Sequence, residues 1–369
     1  MKRNIESKIF LQSLKIPVDN KIESSVFSLL TLCTLWSTIF ILIVSGCKKE
    51  QIIAGGQRDI IVVLAEEDDW SKTKGVLKDA LERDVYTPNR ETIYELMHGL
   101  PQNFSSYIYG KNLILIGYLG GLSEASNLIS TLLTDNAKEM VQRREAFIFD
   151  ENNPWAFGQY LLVIASPGKP ELVDIIKKNR NTIFNYFEKA SYERTKWLIY
   201  SAGREKGKEE KLKEEFNFSI DLPIGFYWMG EDSIKTFAKF VRKFPYRLIS
   251  IGWKKKMVES ISFNDACKLR DSIGAFYLDN DIIVKKKTDG KSVEFLGREG
   301  YKLEGIWENN EKIMGGSFRT YFFNDTLQQR FYIIDIHVFA PGKKKWFYLM
   351  ELEGVAETFR TFPVHKVEK

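Results

Sequence analysis

Asp335 and His337 stand two residues apart in the run RFYIIDIHVF, residues 330–339. On a strand both side chains point to one face, and a carboxylate beside an imidazole can hold the ring as a general base. No serine or cysteine nucleophile lies near them in sequence, so a structural role is expected to prevail over catalysis. Gly121-Leu122-Ser123-Glu124-Ala125 follows an apolar run and precedes a helical stretch, the setting of a nucleophile elbow, but it ends in alanine where that motif has glycine. The simpler expectation is a strand-to-helix turn with Ser123 as N-cap and Glu124 in the first helical turn. Glu66-Glu67-Asp68-Asp69 offers carboxylates to a hard cation. A helix amino terminus attracts acidic side chains for electrostatic reasons, which explains the cluster without metal.

Composition narrows the chemistry further. The 369 residues are 44% apolar and 14% aromatic, a globular composition rich in strand formers. Three Cys and three well-separated His (His98, His337, His365) exclude a disulfide scaffold and a multi-cysteine or His-rich metal centre. There is no P-loop, dinucleotide fingerprint, HExxH or paired CxxC, so no cofactor and no metal are expected. A formal charge of +5 is too mild to imply nucleic acid.

The amino-terminal segment sets the address. Residues 24–46, SSVFSLLTLCTLWSTIFILIVSG, contain no charged side chain and are long enough to cross a bilayer as a helix. The run ends Val44-Ser45-Gly46-Cys47, small residues before a cysteine, followed by the polar Lys48-Lys49-Glu50. This ending resembles the bacterial lipobox, which implies that the Cys47 thiol receives diacylglycerol after cleavage of a signal peptide. The expectation is a lipid anchor at Cys47 on a cell-envelope membrane, the periplasmic face of the outer membrane rather than the inner one. The competing expectation is an uncleaved transmembrane helix. Residues 1–23 are long for a signal peptide and carry three acidic side chains, which weighs toward the second.

Beyond a tether over residues 47–57, the pattern predicts two α+β domains, each a mostly antiparallel sheet with packed helices. In the first, residues 58–202, strands are expected at IIVVLAEE after Asp59, at ETIYELMH (91–98), at 113–116 and at 160–164. Asp69 is expected to cap a helix over 70–83, and a single helix is expected after Pro170, with Leu172, Ile176, Ile183, Phe187 and Ala190 on one face. Residues 203–215 are nearly all charged and predict a solvated helical linker. The second domain, 216–369, is mainly strand, with helices over 264–277 and 346–359. The glycine-rich Met314-Gly315-Gly316-Ser317-Phe318 is expected as a hairpin turn or bulge.

Residues 216–369 net +5 and residues 47–215 net −2. Part of the excess sits in three triplets: Lys254, Lys255 and Lys256; Lys285, Lys286 and Lys287; Lys343, Lys344 and Lys345. If the fold brings their strand ends together, nine ammonium groups form one patch for an anionic partner: anionic lipid, lipopolysaccharide phosphates or another envelope protein.

Several segments together resemble an uncharacterised family of Bacteroidetes envelope lipoproteins, a domain of unknown function. They are Asp69-Trp70 after the first strand, Trp155-Ala156-Phe157-Gly158-Gln159, and Ser219-Ile220-Asp221-Leu222-Pro223-Ile224-Gly225-Phe226. The carboxy-terminal run Gly305-Ile306-Trp307, Met314-Gly315-Gly316-Ser317-Phe318, Asp335 and Ala340-Pro341 completes them. The chain departs from that pattern at Ser317 (proline expected), Ile336 (glycine) and His337 (an aromatic). The second domain also resembles, more distantly, the photosystem PsbP-like fold. The resemblance implies a lipoprotein address, two domains and an interaction role, and no activity. The expected function is therefore a non-catalytic binding or assembly module, the alternative being an envelope hydrolase acting through Asp335 and His337 or Ser123.

Overall fold

The computed structural model describes residues 52–87, 89–232 and 236–363. Cys47, the apolar run before it and His365 lie outside the described residues. In chain order come β1 (Ile60–Leu64), α1 (Glu67–Leu81), β2 (Asp84–Tyr86), β3 (Arg90–Thr92), β4 (Glu95–Gly99), β5 (Asn112–Tyr118), α2 (Glu124–Leu132), α3 (Asp135–Gln142), β6 (Ile148–Asn152) and β7 (Tyr160–Ser166). Then follow α4 (Leu172–Lys178), α5 (Arg180–Tyr200), α6 (Lys206–Phe216), β8 (Phe218–Ser219), β9 (Tyr227–Asp232), β10 (Phe237–Arg242) and β11 (Tyr246–Lys254). The last are α7 (Phe263–Tyr277), β12 (Ile282–Phe295), β13 (Arg298–Asn309), β14 (Met314–Asp325), β15 (Arg330–Phe339), α8 (Trp346–Ala356) and β16 (Arg360–Thr361). Packing divides the chain into two units, one of residues up to 81 with 94–187, the other of residues 82–93 with those from 188 on.

The class is α+β, with a sheet in each unit. The first sheet has the order β4-β1-β5-β7-β6. Three of its four pairings are parallel and only β6–β7 is antiparallel, which corrects the expectation of a mostly antiparallel sheet. The physical reason is legible in the strands: β5 (NLILIGY) and β7 (YLLVIAS) are apolar nearly throughout, as strands buried on both faces are, and helices follow β1, β5 and β7.

The second sheet is antiparallel throughout, in the order β12-β13-β14-β15-β11-β10-β9. One face carries Ile334, Ile336, Val338, Ile249 and Ile251 against Leu349, Leu352 and Val355 of α8 and Leu212 and Phe216 of α6. The other carries Leu248, Phe318, Phe322 and Ile333 against Ala266, Cys267 and Ile273 of α7. This is the sheet with helices on its faces that the PsbP-like resemblance implied.

Five local expectations change. Helix α1 starts at Glu67, so Asp69 lies buried in its first turn and is not its cap. ETIYELMH breaks at Ile93-Tyr94 into β3 and β4, which belong to different sheets and different units. The helix after Pro170 breaks at Asn179. The charged stretch 203–215 lies largely in α6, which buries Glu209, Leu212 and Phe216 within the second unit and is not a solvated linker. Finally, Gly315 and Gly316 are paired strand residues of β14, opposite Glu308 and Trp307. A Cβ on Gly316 would stand 1.8 Å from the Val338 carbonyl oxygen, so the glycine permits close strand approach and is not a turn.

Candidate binding site

The expected Asp335–His337 pair exists and is buried on the α7 face of β15. Asp335 Oδ1 accepts from Thr320 Oγ1 at 2.5 Å and lies 3.4 Å from Arg270 Nε of α7. His337 Nδ1 is 3.5 Å from Asp335 Oδ2. Burial alone would raise the Asp335 carboxyl, but Arg270 and His337 hold it below its ordinary value. The imidazole packs on Trp307 at 4.9 Å and lines a cavity of about 140 Å³ with Tyr246, Asp281, Lys239 and Lys312. Tyr246 carries the one hydroxyl among the described lining residues, and burial together with Asp281 pushes it up to about 12. The Thr320 hydroxyl beside the pair donates to the Asp335 carboxylate, and the arrangement observed is a buried, charge-paired cluster that orients that carboxylate.

Ser123 caps α2, its Oγ accepting from the Ser126 amide at 3.2 Å. It borders the crevice where an open α/β sheet usually receives ligands, beyond the carboxyl ends of β1 and β5 where the strand order reverses. Here the chain fills that crevice itself. Glu66 Oε1 accepts from the Ala125 amide at 3.2 Å, taking the place of an anion at the α2 amino terminus. Lys169 Nζ donates to Asp68 at 2.8 Å and lies 3.6 Å from Asp69 Oδ1. Its hydrogen bond lowers the Asp68 carboxyl, whereas burial raises that of Asp69. Among the described residues no three His, Cys, Asp or Glu side chains are grouped to hold a metal ion.

The three lysine triplets do not converge. Lys254 pairs with Phe331 at the start of β15, while Lys343, Lys344 and Lys345 follow its end at Phe339. Eight residues at about 3.4 Å each separate them by roughly 27 Å. Lys285, Lys286 and Lys287 form an outward bulge in edge strand β12, where its register against β13 shifts between Ile283 and Thr288. That bulge lies toward the same end as Lys343. Lys345 is buried and holds Glu91 at 2.7 Å through Nζ. The single nine-charge patch is therefore corrected: two triplets share one sheet end, the third lies at the other, and Lys345 is committed internally.

A larger cavity, about 600 Å³, opens between the β2 hairpin, the β12 bulge and the start of α8. Its wall includes Thr87, Lys286, Lys287, Glu304, Ser317, Arg319 and Trp346. Arg319 stacks on Trp346 at 4.9 Å, pairs with Glu353 of α8 and lies 3.5 Å from Glu304. Lys302 Nζ closes the network at 3.0 Å from Glu304 and 3.5 Å from Glu353. Burial opposes ionisation of Glu353, yet Arg319 and Lys302 hold its carboxyl below the ordinary value. In the cavity wall, Thr87 Oγ1, Ser317 Oγ and Trp346 Nε1 are buried with no hydrogen-bond partner. Such groups cost about 1–3 kcal/mol each until something hydrogen-bonds to them. Sequence reasoning missed this wall, although the alternation Ser317, Arg319, Tyr321 between Phe318, Thr320 and Phe322 marks a polar stripe on one face of β14.

Residues 205–358 match the domain of unknown function DUF4837, and residues 54–199 match a second, DUF8532. The two matches fall on separate stretches of the chain, where one family had been expected over its length. No curated protein matches. Among solved structures, the Saccharomyces cerevisiae Ran-binding protein Mog1p is 12% identical over 40% of this chain and 91% of its own, with a TM-score of 0.27. LpqN of Mycobacterium tuberculosis, involved in cell envelope biogenesis, is 12% identical over 40% of this chain and 83% of its own, also at 0.27. A Bacteroides thetaiotaomicron protein is 11% identical over 42% of this chain and 48% of its own, at 0.26.

Proposed function

We propose that the protein is a non-catalytic binding module of the bacterial envelope, tethered to a membrane by lipid on Cys47. The observation that carries the binding half is the 600 Å³ cavity. Its size falls within the range of small-ligand sites, and three polar groups in its wall lack partners. The address rests on the uncharged run 24–46 ending Val44-Ser45-Gly46-Cys47. No helix among the described residues is long and apolar enough to cross a membrane. An anionic partner is drawn to the end of the second sheet that carries Lys285, Lys286, Lys287 and Lys343.

A fatty-acid analogue should label the wild type and leave Cys47→Ala unlabelled. Equal labelling, or none on the wild type, rejects the lipid tether in favour of an uncleaved helix. For the cavity, native mass spectrometry of protein taken from its own envelope should find a bound small molecule that Lys286→Trp, which projects bulk into the opening, no longer retains. Identical spectra from the two proteins would reject the cavity as the binding site.

A further inference from the structure

Two turns at one end of the second sheet present large apolar side chains to solvent. Phe244, between β10 and β11, is 92% exposed, and Ile313, between β13 and β14, is 93% exposed. Both also have positive φ, 59° and 49°. That region ordinarily takes glycine or asparagine, and a β-branched residue is a costly occupant. Leu296 shares this conformation (φ 54°) at the opposite sheet end, but packs against the core. Phe244 and Ile313 combine an unfavourable backbone with an exposed apolar side chain and gain no packing in return.

The register puts these tips together. Tyr246 pairs with Phe339 and Ser317 with Val338, so both turns lie beyond the carboxyl end of β15. Three strand spacings separate them, about 14 Å. Tyr277 ends α7 stacked on Phe237, which pairs with Gly252 toward the other end of β15, so exposed Phe276 beside it is not one of these tips. Asp279, just beyond α7, pairs with Lys312 at 2.6 Å, and Lys239 donates to the Tyr277 carbonyl at 2.8 Å. Exposed Lys243 adjoins Phe244, and the Lys285, Lys286, Lys287 bulge lies toward the same end.

We infer that this end of the sheet docks on an anionic lipid surface, with Phe244 and Ile313 entering the headgroup layer and Lys243 and the Lys285, Lys286, Lys287 bulge meeting the phosphates. These lysines with Lys343 outnumber Glu308 and Glu311 beside Ile313, and that excess of positive charge selects a bilayer bearing anionic lipid. The separation of the tips selects lipid over protein: single apolar side chains with polar backbone between them would need two matched pockets on a rigid partner, whereas a fluid interface accepts them as they are. The inference deepens the tethered reading, since a chain held at a membrane meets that membrane at high effective concentration.

The test uses the full chain reconstituted in phosphatidylcholine vesicles with or without phosphatidylglycerol. A polarity-sensitive thiol dye is placed by Phe244→Cys, Ile313→Cys or Leu327→Cys, with the parent chain as blank. Leu327 is 55% exposed in the turn between β14 and β15, at the other sheet end. Emission should shift to the blue and be quenched by lipid-borne nitroxide at the first two positions, in anionic vesicles and less at 1 M salt. The dye at position 327 should remain water-like. Three water-like positions on vesicle-bound protein, or three equal shifts, would overturn the inference. A shift in native envelopes but not in vesicles would replace lipid by a protein partner and overturn it also. Failure of the tether is read separately, by the fatty-acid label, because the apolar run delivers the chain to vesicles whether or not Cys47 is acylated.

Discussion

The two units place their charges differently. In the first, Asp68 and Lys169 meet at the rim of the strand-end crevice, 67% and 36% exposed. In the second, Arg270 and Asp335 are wholly buried under α7, and Arg319 with Glu353 lies under α8, while a cavity stays open beside them. The contrast separates fold-level expectation from chemistry. The parallel sheet supplies the customary ligand crevice, and Glu66 and Lys169 occupy it. The antiparallel sheet has no customary site, yet leaves Thr87 Oγ1, Ser317 Oγ and Trp346 Nε1 without a hydrogen-bond partner in the wall of its cavity.

The largest expected effect tests the buried pair. Arg270→Met removes the guanidinium and leaves the Asp335 carboxylate without its cation, which should cost about 3–5 kcal/mol in urea unfolding. Lys169→Met should lower the urea midpoint much less, because its hydrogen-bonded partner Asp68 is solvated and screened and the buried Asp69 is 3.6 Å away. Equal losses in the two variants would erase the contrast between the units. Next in size is a pair of glycine replacements. Gly316→Ala drives a Cβ to 1.8 Å from the Val338 carbonyl, a backbone atom of the adjacent strand, and should cost about 3 kcal/mol. Gly121→Ala meets Ser126 Oγ at 2.4 Å and the Tyr118 ring at 2.6 Å, side chains that can turn aside, and should cost less. The order of the two unfolding midpoints checks it.

What the sequence revealed follows from how local each cause is. Helix α7 was legible over 264–277 against an observed Phe263–Tyr277, because Ser262 caps it locally and its apolar spacing is regular. The start of α8 at Trp346 was equally plain. ETIYELMH misled because β-propensity is continuous across it, whereas Tyr94 is drawn into the first unit by a hydrogen bond to the Phe187 carbonyl, ninety-three residues away. Residues 203–215 misled because charge hides Leu212 and Phe216, the two side chains that bind the helix to its core. At the site, Asp335 and His337 were correctly placed on one face by strand period alone. Arg270, which helps hold the Asp335 carboxyl below its ordinary value, approaches from a different element and left no local trace. The cavity wall combines a hairpin near residue 87, an edge bulge and a helix start, and only tertiary structure brings these together.

Acid sharpens the comparison through the sign of each shift. Asp335, Glu304 and Glu353 have carboxyls held below their ordinary values. The stability they contribute is present above about pH 4 and is lost as pH falls through the lowered values. Asp69 is raised by burial, so its contribution has the opposite sense, present below about pH 4 and lost as pH rises through the raised value. Urea midpoints should therefore drop between pH 5 and pH 3. Glu353→Gln should flatten that drop, and Asp69→Asn should steepen it. The reverse pattern would mean that the two carboxylates have their protonation preferences exchanged.

The smallest effect concerns Ser123, where stability and catalysis make separable predictions. Its Oγ accepts from the Ser126 amide at 3.2 Å, the same length as the Ser262 cap of α7 accepting from the Asp265 amide. Matching cap bonds at two helix starts predict similar losses, about 1 kcal/mol each for Ser123→Ala and Ser262→Ala, each hydroxyl also making one local contact, to Ser126 Oγ at 2.9 Å and to Asp265 Oδ2 at 2.5 Å. These contacts are all within the helix start, so Ser123→Ala should support growth or envelope integrity as well as the wild type at matched abundance. The hydrolase alternative requires Ser123 to act as a nucleophile, and its removal would then abolish function at an unchanged unfolding midpoint. Ser262→Ala is the control, because it removes an equivalent cap in the other unit at a position no catalytic reading uses. A phenotype confined to Ser123→Ala, with the two midpoints alike, would return the first unit's crevice to consideration as an active site.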